Sequence, residues 1–143
     1  MSFPTEVSDL RMKDAFCATL ESVVDHCPRR DTLLVLEGFN AMAGTDSDGY
    51  ETCVGPHGSV TVNPNSTKFL DFARSRGLRV AGSWFQRPQA HCWIWYSNAG
   101  GVAKEIDHVL VDDCWRMIQN CRVYQIAQFL NTDPRLVVAT LKL

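Results

Sequence analysis

The sequence has no excess of charge of either sign. Against 14 Lys and Arg stand 16 Asp and Glu, a net charge of −2, and the two signs are interspersed. A chain so balanced has no basic stripe with which to capture nucleic acid or an anionic membrane electrostatically. It still admits a nuclease that works through metal ions, because bound cations supply the missing positive charge.

Long apolar runs are also missing. Nothing approaches the roughly 20 residues of a membrane span, so no membrane partner is expected. Glu6, Asp9, Asp14 and Glu21 interrupt the N-terminal stretch where a secretory leader would need an apolar segment. Six cysteines are present (Cys17, Cys27, Cys53, Cys92, Cys114, Cys121), without a CxxC pair or finger spacing. They read as reduced thiols of an intracellular protein, nuclear or cytoplasmic. Repeats, low-complexity tracts and linkers are absent too, so 143 residues make one domain or part of one.

What is present is apolar patterning, at 45% hydrophobic content, enough for a packed core. Met12, Phe16, Leu20, Val23 and Val24 recur at helical spacing between Ser8, a candidate N-cap, and His26, with Pro28 as the stop. The short run Thr32 to Leu36 predicts a buried strand. Gly44 to Pro64 is rich in Gly, Asp, Asn and Pro and predicts a loop. A second helix is expected from Thr67 to Arg76, capped by Ser66 and ended by Gly77. Beyond it, Leu78–Phe85, His91–Ser97, Glu105–Asp112, Met117–Ile126 and Leu136–Leu143 are β-branched or aromatic runs separated by turn residues. The expected class is α+β, a mostly antiparallel sheet with flanking helices. Helices on one side only would leave an apolar face or an edge strand uncovered, as in the second part of a larger domain.

Several short patterns invite functional readings. Asp46-Ser47-Asp48-Gly49 opens like a calcium loop but lacks the third acidic position and the distal Glu, so a polar turn is the reading. His26, His91, His108 and the cysteines lack zinc spacing and read as scattered structural residues. Asn65-Ser66-Thr67 is a glycosylation sequon that an intracellular chain leaves unused. Trp84, Trp93, Trp95, Tyr96 and Trp115 suit base stacking and suit a sheet core. Three polar residues stand apart: Asn40 directly after a buried strand, Asp107 inside an apolar one, and Asp133 opening the turn before the last. An acid in an apolar strand needs a partner.

The stretches around those residues, "LLVLEGFNA", "WIWYSNAGGVAKEIDHVLVD" and "NTDPRLVVATLKL", resemble in order and content three successive motifs of the endonuclease/exonuclease/phosphatase superfamily. The nearest likeness is to retrotransposon-type endonuclease domains, including the craniofacial development protein 2-like group. The likeness runs from about Lys13 to Leu143 and corresponds to the C-terminal part of such a domain. It implies a four-layered α/β sandwich, Mg²⁺-dependent cleavage of phosphodiesters, and DNA as the partner. It also implies roles: Asn40 holds the phosphate, Asp107 orients a catalytic histidine, and Asp133 assists metal binding.

The departures lie at the chemistry. Gly38 stands where the first motif has its acid, Pro134 where the last has its histidine, and Ile94 where a hydroxyl residue is usual. The principal metal-ligating Glu would lie upstream of this sequence. Metal and positioned acid–base groups carry phosphoryl chemistry, and each such group is worth about 10²–10⁴-fold. Glu37 adjoins Gly38, but successive strand side chains point to opposite faces, so it should aim away from the site. The expectation is therefore a truncated, catalytically impaired homologue. The alternatives are an interaction module using its exposed sheet for a protein partner or for self-association, and an endonuclease completed by another chain.

Overall fold

The computed structural model describes Pro4 and residues 8–44, 49–59, 62–88, 95–96, 103–104, 107–125 and 135–142. Helix α1 spans Leu10–Asp25, and its N-cap is Asp9, whose carboxylate accepts from Arg11 N–H at 3.4 Å. Phe16 and Val24 are buried, with Leu20 packed against the same cluster, one helical face at i, i+4 spacing. Met12 and Val23 do not join it; they are 60% and 61% exposed.

Strand β1, Leu34–Gly38, follows, and then α2, Ser66–Ser75, which begins after Asn65. Gly77 closes α2 in the left-handed conformation, at φ +64°. Its N–H donates to Arg74 C=O at 3.2 Å, and Leu78 N–H to Ala73 C=O at 2.8 Å. These two bonds make a complete Schellman motif, which only a residue tolerating positive φ permits cheaply.

Strand β2 is short, Arg79–Val80, and gives way to a 3-10 helix over Ala81–Trp84. The run from Leu78 to Phe85 is therefore not one strand. The Ser83 hydroxyl, fully buried, donates to Val80 C=O at 2.6 Å and accepts from Gly55 N–H at 2.8 Å, turning the chain. Strands β3 (Trp95–Tyr96) and β4 (Ala103–Lys104) pair with each other. Then come β5 (Asp107–Val111), a 3-10 helix over Asp113–Met117, β6 (Ile118–Gln125) and β7 (Arg135–Leu141).

All strand pairs are antiparallel among the described residues, with one isolated parallel bridge between Gly44 and Ser59, and the class is α+β. The central sheet runs β1-β5-β2, while β6 and β7 form a separate pair. Strand β5 organises the core because alternate side chains enter different clusters. Leu110 packs with Val35, Val80 and the helix residues Phe16, Phe69 and Phe72. Val109 and Val111 pack on the other face with Ala81, Ile118 and Cys121. Burying a side chain such as Leu110 is worth about 1.5–3 kcal/mol, so β5 ties both clusters to one backbone.

Cover is uneven on that second face. Val109 is buried, yet Leu36, its direct partner on β1, is 69% exposed. Strand β1 lies at the edge of its sheet, paired among the described residues with β5 alone.

Candidate functional site

Five register pairs join β1 to β5, and the last sets Gly38 opposite Asp107. Directly opposed residues share a face, so Gly38 and Asp107 lie on the same side as Leu36 and Val109. The fit is close: a Cβ at position 38 would lie 2.8 Å from Asp107 Oδ1. The Asp107 carboxyl thus leans into the space above the glycine. It is about half buried and accepts no hydrogen bond among the described residues. Desolvation raises its pKa above the usual carboxylate range, and the neighbouring His108 opposes that shift.

Glu37 pairs with His108 on the opposite face, the helix-covered one. It does not reach the space above Gly38, and the alternation expected of a strand holds here.

Beyond the strand, Phe39 is 1% exposed, its ring 4.6 Å from that of Phe69. Asn40 then turns into the left-handed region at φ +48°, the one non-glycine residue to do so among those described. Asn tolerates this conformation better than most side chains, but it still costs free energy.

Three side chains from outside the strand hold the next peptide groups in place. Asn63 Nδ2 and Asn65 Nδ2 both donate to Asn40 C=O, at 2.9 and 3.1 Å. Asn63 Oδ1 accepts from Met42 N–H at 3.3 Å and from the Ser66 hydroxyl at 2.9 Å. His108 Nε2 lies 2.7 Å from Ala41 C=O, so that nitrogen carries the proton. Its imidazole is buried and stacks on Phe69 at 4.9 Å.

Of the residues singled out from sequence, the fold brings Gly38, Asn40 and Asp107 to one end of the β1–β5 ladder. Asp133 and Pro134 lie outside the described residues, as do Ile94, Asp46, Asp48, His91, Cys92 and Trp93. Sequence reasoning missed Asn63 and Asn65 because both sit in a loop whose composition signals only turns. Asn65 belongs to the sequon, yet it is fully buried with its amide engaged by Asn40 and Pro4 carbonyls. No glycosyl transfer could reach it in the folded chain.

Among the described residues the donor set does not fit magnesium. Octahedral Mg²⁺ is held by one or two carboxylates with further oxygens in tight geometry. Among the described residues, the carboxylate set against Gly38 is that of Asp107. No group of three or more His, Cys, Asp or Glu that could hold a metal occurs among the described residues. The described cysteines are free thiols, with Cys53 and Cys121 buried.

At the opposite end of β5, Trp84 and Trp115 are half buried with ring centroids 5.5 Å apart. The Arg79 guanidinium lies over both rings, at 5.3 and 5.1 Å. This stack closes the second cluster and is remote from Asp107. No family model matches the chain, and no curated protein matches it. No helix among the described residues is long and apolar enough to cross a membrane.

Proposed function

We propose that this chain is a catalytically impaired relative of the Mg²⁺-dependent phosphodiesterases, of the retrotransposon-type DNA endonuclease kind. On this reading it is the C-terminal part of an endonuclease/exonuclease/phosphatase domain, and the α+β arrangement is a portion of that four-layered sandwich. The observation that carries the proposal is the pairing of Gly38 with Asp107, with Asn40 two residues on. Residues implied by separate motifs meet at one strand end, next to a backbone held in a strained conformation. Such strain persists where the surroundings over-determine it, a frequent property of ligand sites.

The same pairing supports the loss of chemistry. With glycine at position 38, no acid is available there to align water. Without a bound cation between them, the Asp107 carboxylate repels a phosphodiester anion. Proline at 134 can neither take nor give a proton.

A plasmid-nicking assay with millimolar Mg²⁺ or Mn²⁺ tests this. The purified 143-residue chain should leave supercoiled DNA intact. Nicking that disappears in Asn40→Ala would overturn the proposal.

A further inference from the structure

The site's remaining acid points to a different kind of ligand. Asp107 is half buried and without a hydrogen-bonding partner among the described residues, and its carboxyl leans over Gly38, on the strand whose outer edge is unpaired among those residues. Two positions along β1 and on the same face, Leu36 is 69% exposed. An open strand edge, a bare apolar side chain and an unpartnered carboxylate are three different demands. They lie along one short ladder, Leu36 on β1 and Asp107 on β5.

We infer that β1 is a docking edge for an extended peptide segment of a protein partner, one carrying an apolar and a basic residue two positions apart. Added as a strand, such a segment pairs its backbone with Leu34–Gly38 and covers Leu36 with its apolar side chain. Its Lys or Arg then passes over Gly38 to the Asp107 carboxylate.

The geometry allows this crossing. The added strand lies two strand spacings from β5, about 9.6 Å. The Asp107 carboxyl already reaches part of that way, and an extended lysine spans the remainder. Gly38 is essential to the path, because any side chain there stands between the two charges. Strand addition obtains affinity from main-chain bonds and specificity from alternate side chains, which here select apolar and basic. Leu34–Gly38 itself contains no basic residue, so a second copy of β1 does not meet the charge requirement. The inference rests on the reading that the site holds no metal.

The test is an amide-resolved NMR titration of the full chain with two blocked pentapeptides, Thr-Val-Thr-Lys-Thr and Thr-Val-Thr-Glu-Thr. The lysine peptide should shift the amides of Leu34–Gly38 and bind about fivefold tighter than the glutamate peptide, the scale of one partly exposed ion pair. Asp107→Asn should erase that preference while leaving the β1 shifts. Gly38→Thr, which keeps the acid and blocks the crossing, should erase it too. Absence of β1 shifts at millimolar peptide, or equal affinity of the two peptides for the unaltered chain, overturns the inference. Shifts at β1 that follow protein concentration without peptide make the occupant a second copy and overturn it as well. A parallel Mg²⁺ titration separates the two readings: micromolar Mg²⁺ binding at Asp107 defeats the proposed function, whereas the peptide comparison decides the docking edge.

Discussion

Placing an acid at position 38 should destabilise the chain, by an amount the structure lets us work out. A Cβ there would sit 2.8 Å from Asp107 Oδ1, so the Asp107 carboxyl must rotate aside, which a terminal side-chain group does cheaply. In Gly38→Asp the two carboxylates then remain within about 4 Å. Like charges at that separation repel by about 4 kcal/mol at an effective dielectric constant of 20. Asp107 is about half buried, and solvent screening reduces the cost to about 2 kcal/mol. Gly38→Asn has the same shape without the charge and is the reference. The folded pair shares a proton up to a higher pH than the unfolded chain does. Its stability is therefore intact below about pH 4 and falls as pH rises through the raised value. Urea denaturation should find Gly38→Asp about 2 kcal/mol less stable than Gly38→Asn at pH 7 and equal to it at pH 3.5. Equal stability at both pH values would refute the argument, showing that the two side chains do not meet.

Asp107→Asn should stabilise the folded chain at neutral pH by about 1 kcal/mol, a discounted desolvation penalty. Because burial raises the Asp107 pKa, the unaltered chain loses stability as pH rises through that value. The gain should therefore vanish in acid, as thermal melts between pH 3 and pH 8 can show. At Asn40, where φ is +48°, the Val variant should unfold about 1–3 kcal/mol more readily than the Gly variant; both lack the carboxamide, so chemical denaturation isolates the backbone cost. His108→Phe keeps the stack on Phe69 but abandons the buried Ala41 carbonyl, and should cost about 1–3 kcal/mol with faster hydrogen exchange at residues 40–42.

The sequence made the elements legible where one local rule dominated. Gly77 ends its helix because only a left-handed residue satisfies the last carbonyls, and the runs around Val109, Val123 and Val138 are strands bounded by turn residues. It misled where a side chain outcompeted the pattern. Leu78–Phe85 has strand composition, but the buried Ser83 hydroxyl takes the Val80 carbonyl and starts a turn. Ser8 and Ser66 are plausible caps by type, yet Asp9 and Asn65 occupy the cap positions. For the site, residue types flagged Asn40 and Asp107 separately. Their meeting depends on the β1–β5 register, which is fixed by two clusters drawn from distant segments and leaves no local trace. The Asn63, Asn65 and His108 contacts to residues 40–42 were invisible for the same reason: backbone carbonyls have no signature in sequence.

The register also bears on why Asp107 persists without a hydrogen-bonding partner among the described residues. On the proposed reading, a working site would set two acids across one ladder step and would need cations to balance them, a metal and the histidine that Asp107 orients. Removing the metal alone would leave about 2 kcal/mol of uncompensated repulsion, a large share of the marginal stability of a small domain. Glycine at 38 removes that repulsion in one substitution, at a conformational cost of roughly 0.5–1 kcal/mol. On that reading the exchange would favour folding over chemistry, the usual direction of trade between stability and active-site strain. It leaves one half-buried carboxyl beside a strand edge that is unpaired among the described residues. On the proposed reading, loss of hydrolysis and gain of a docking surface for a basic segment both follow from glycine at this one residue.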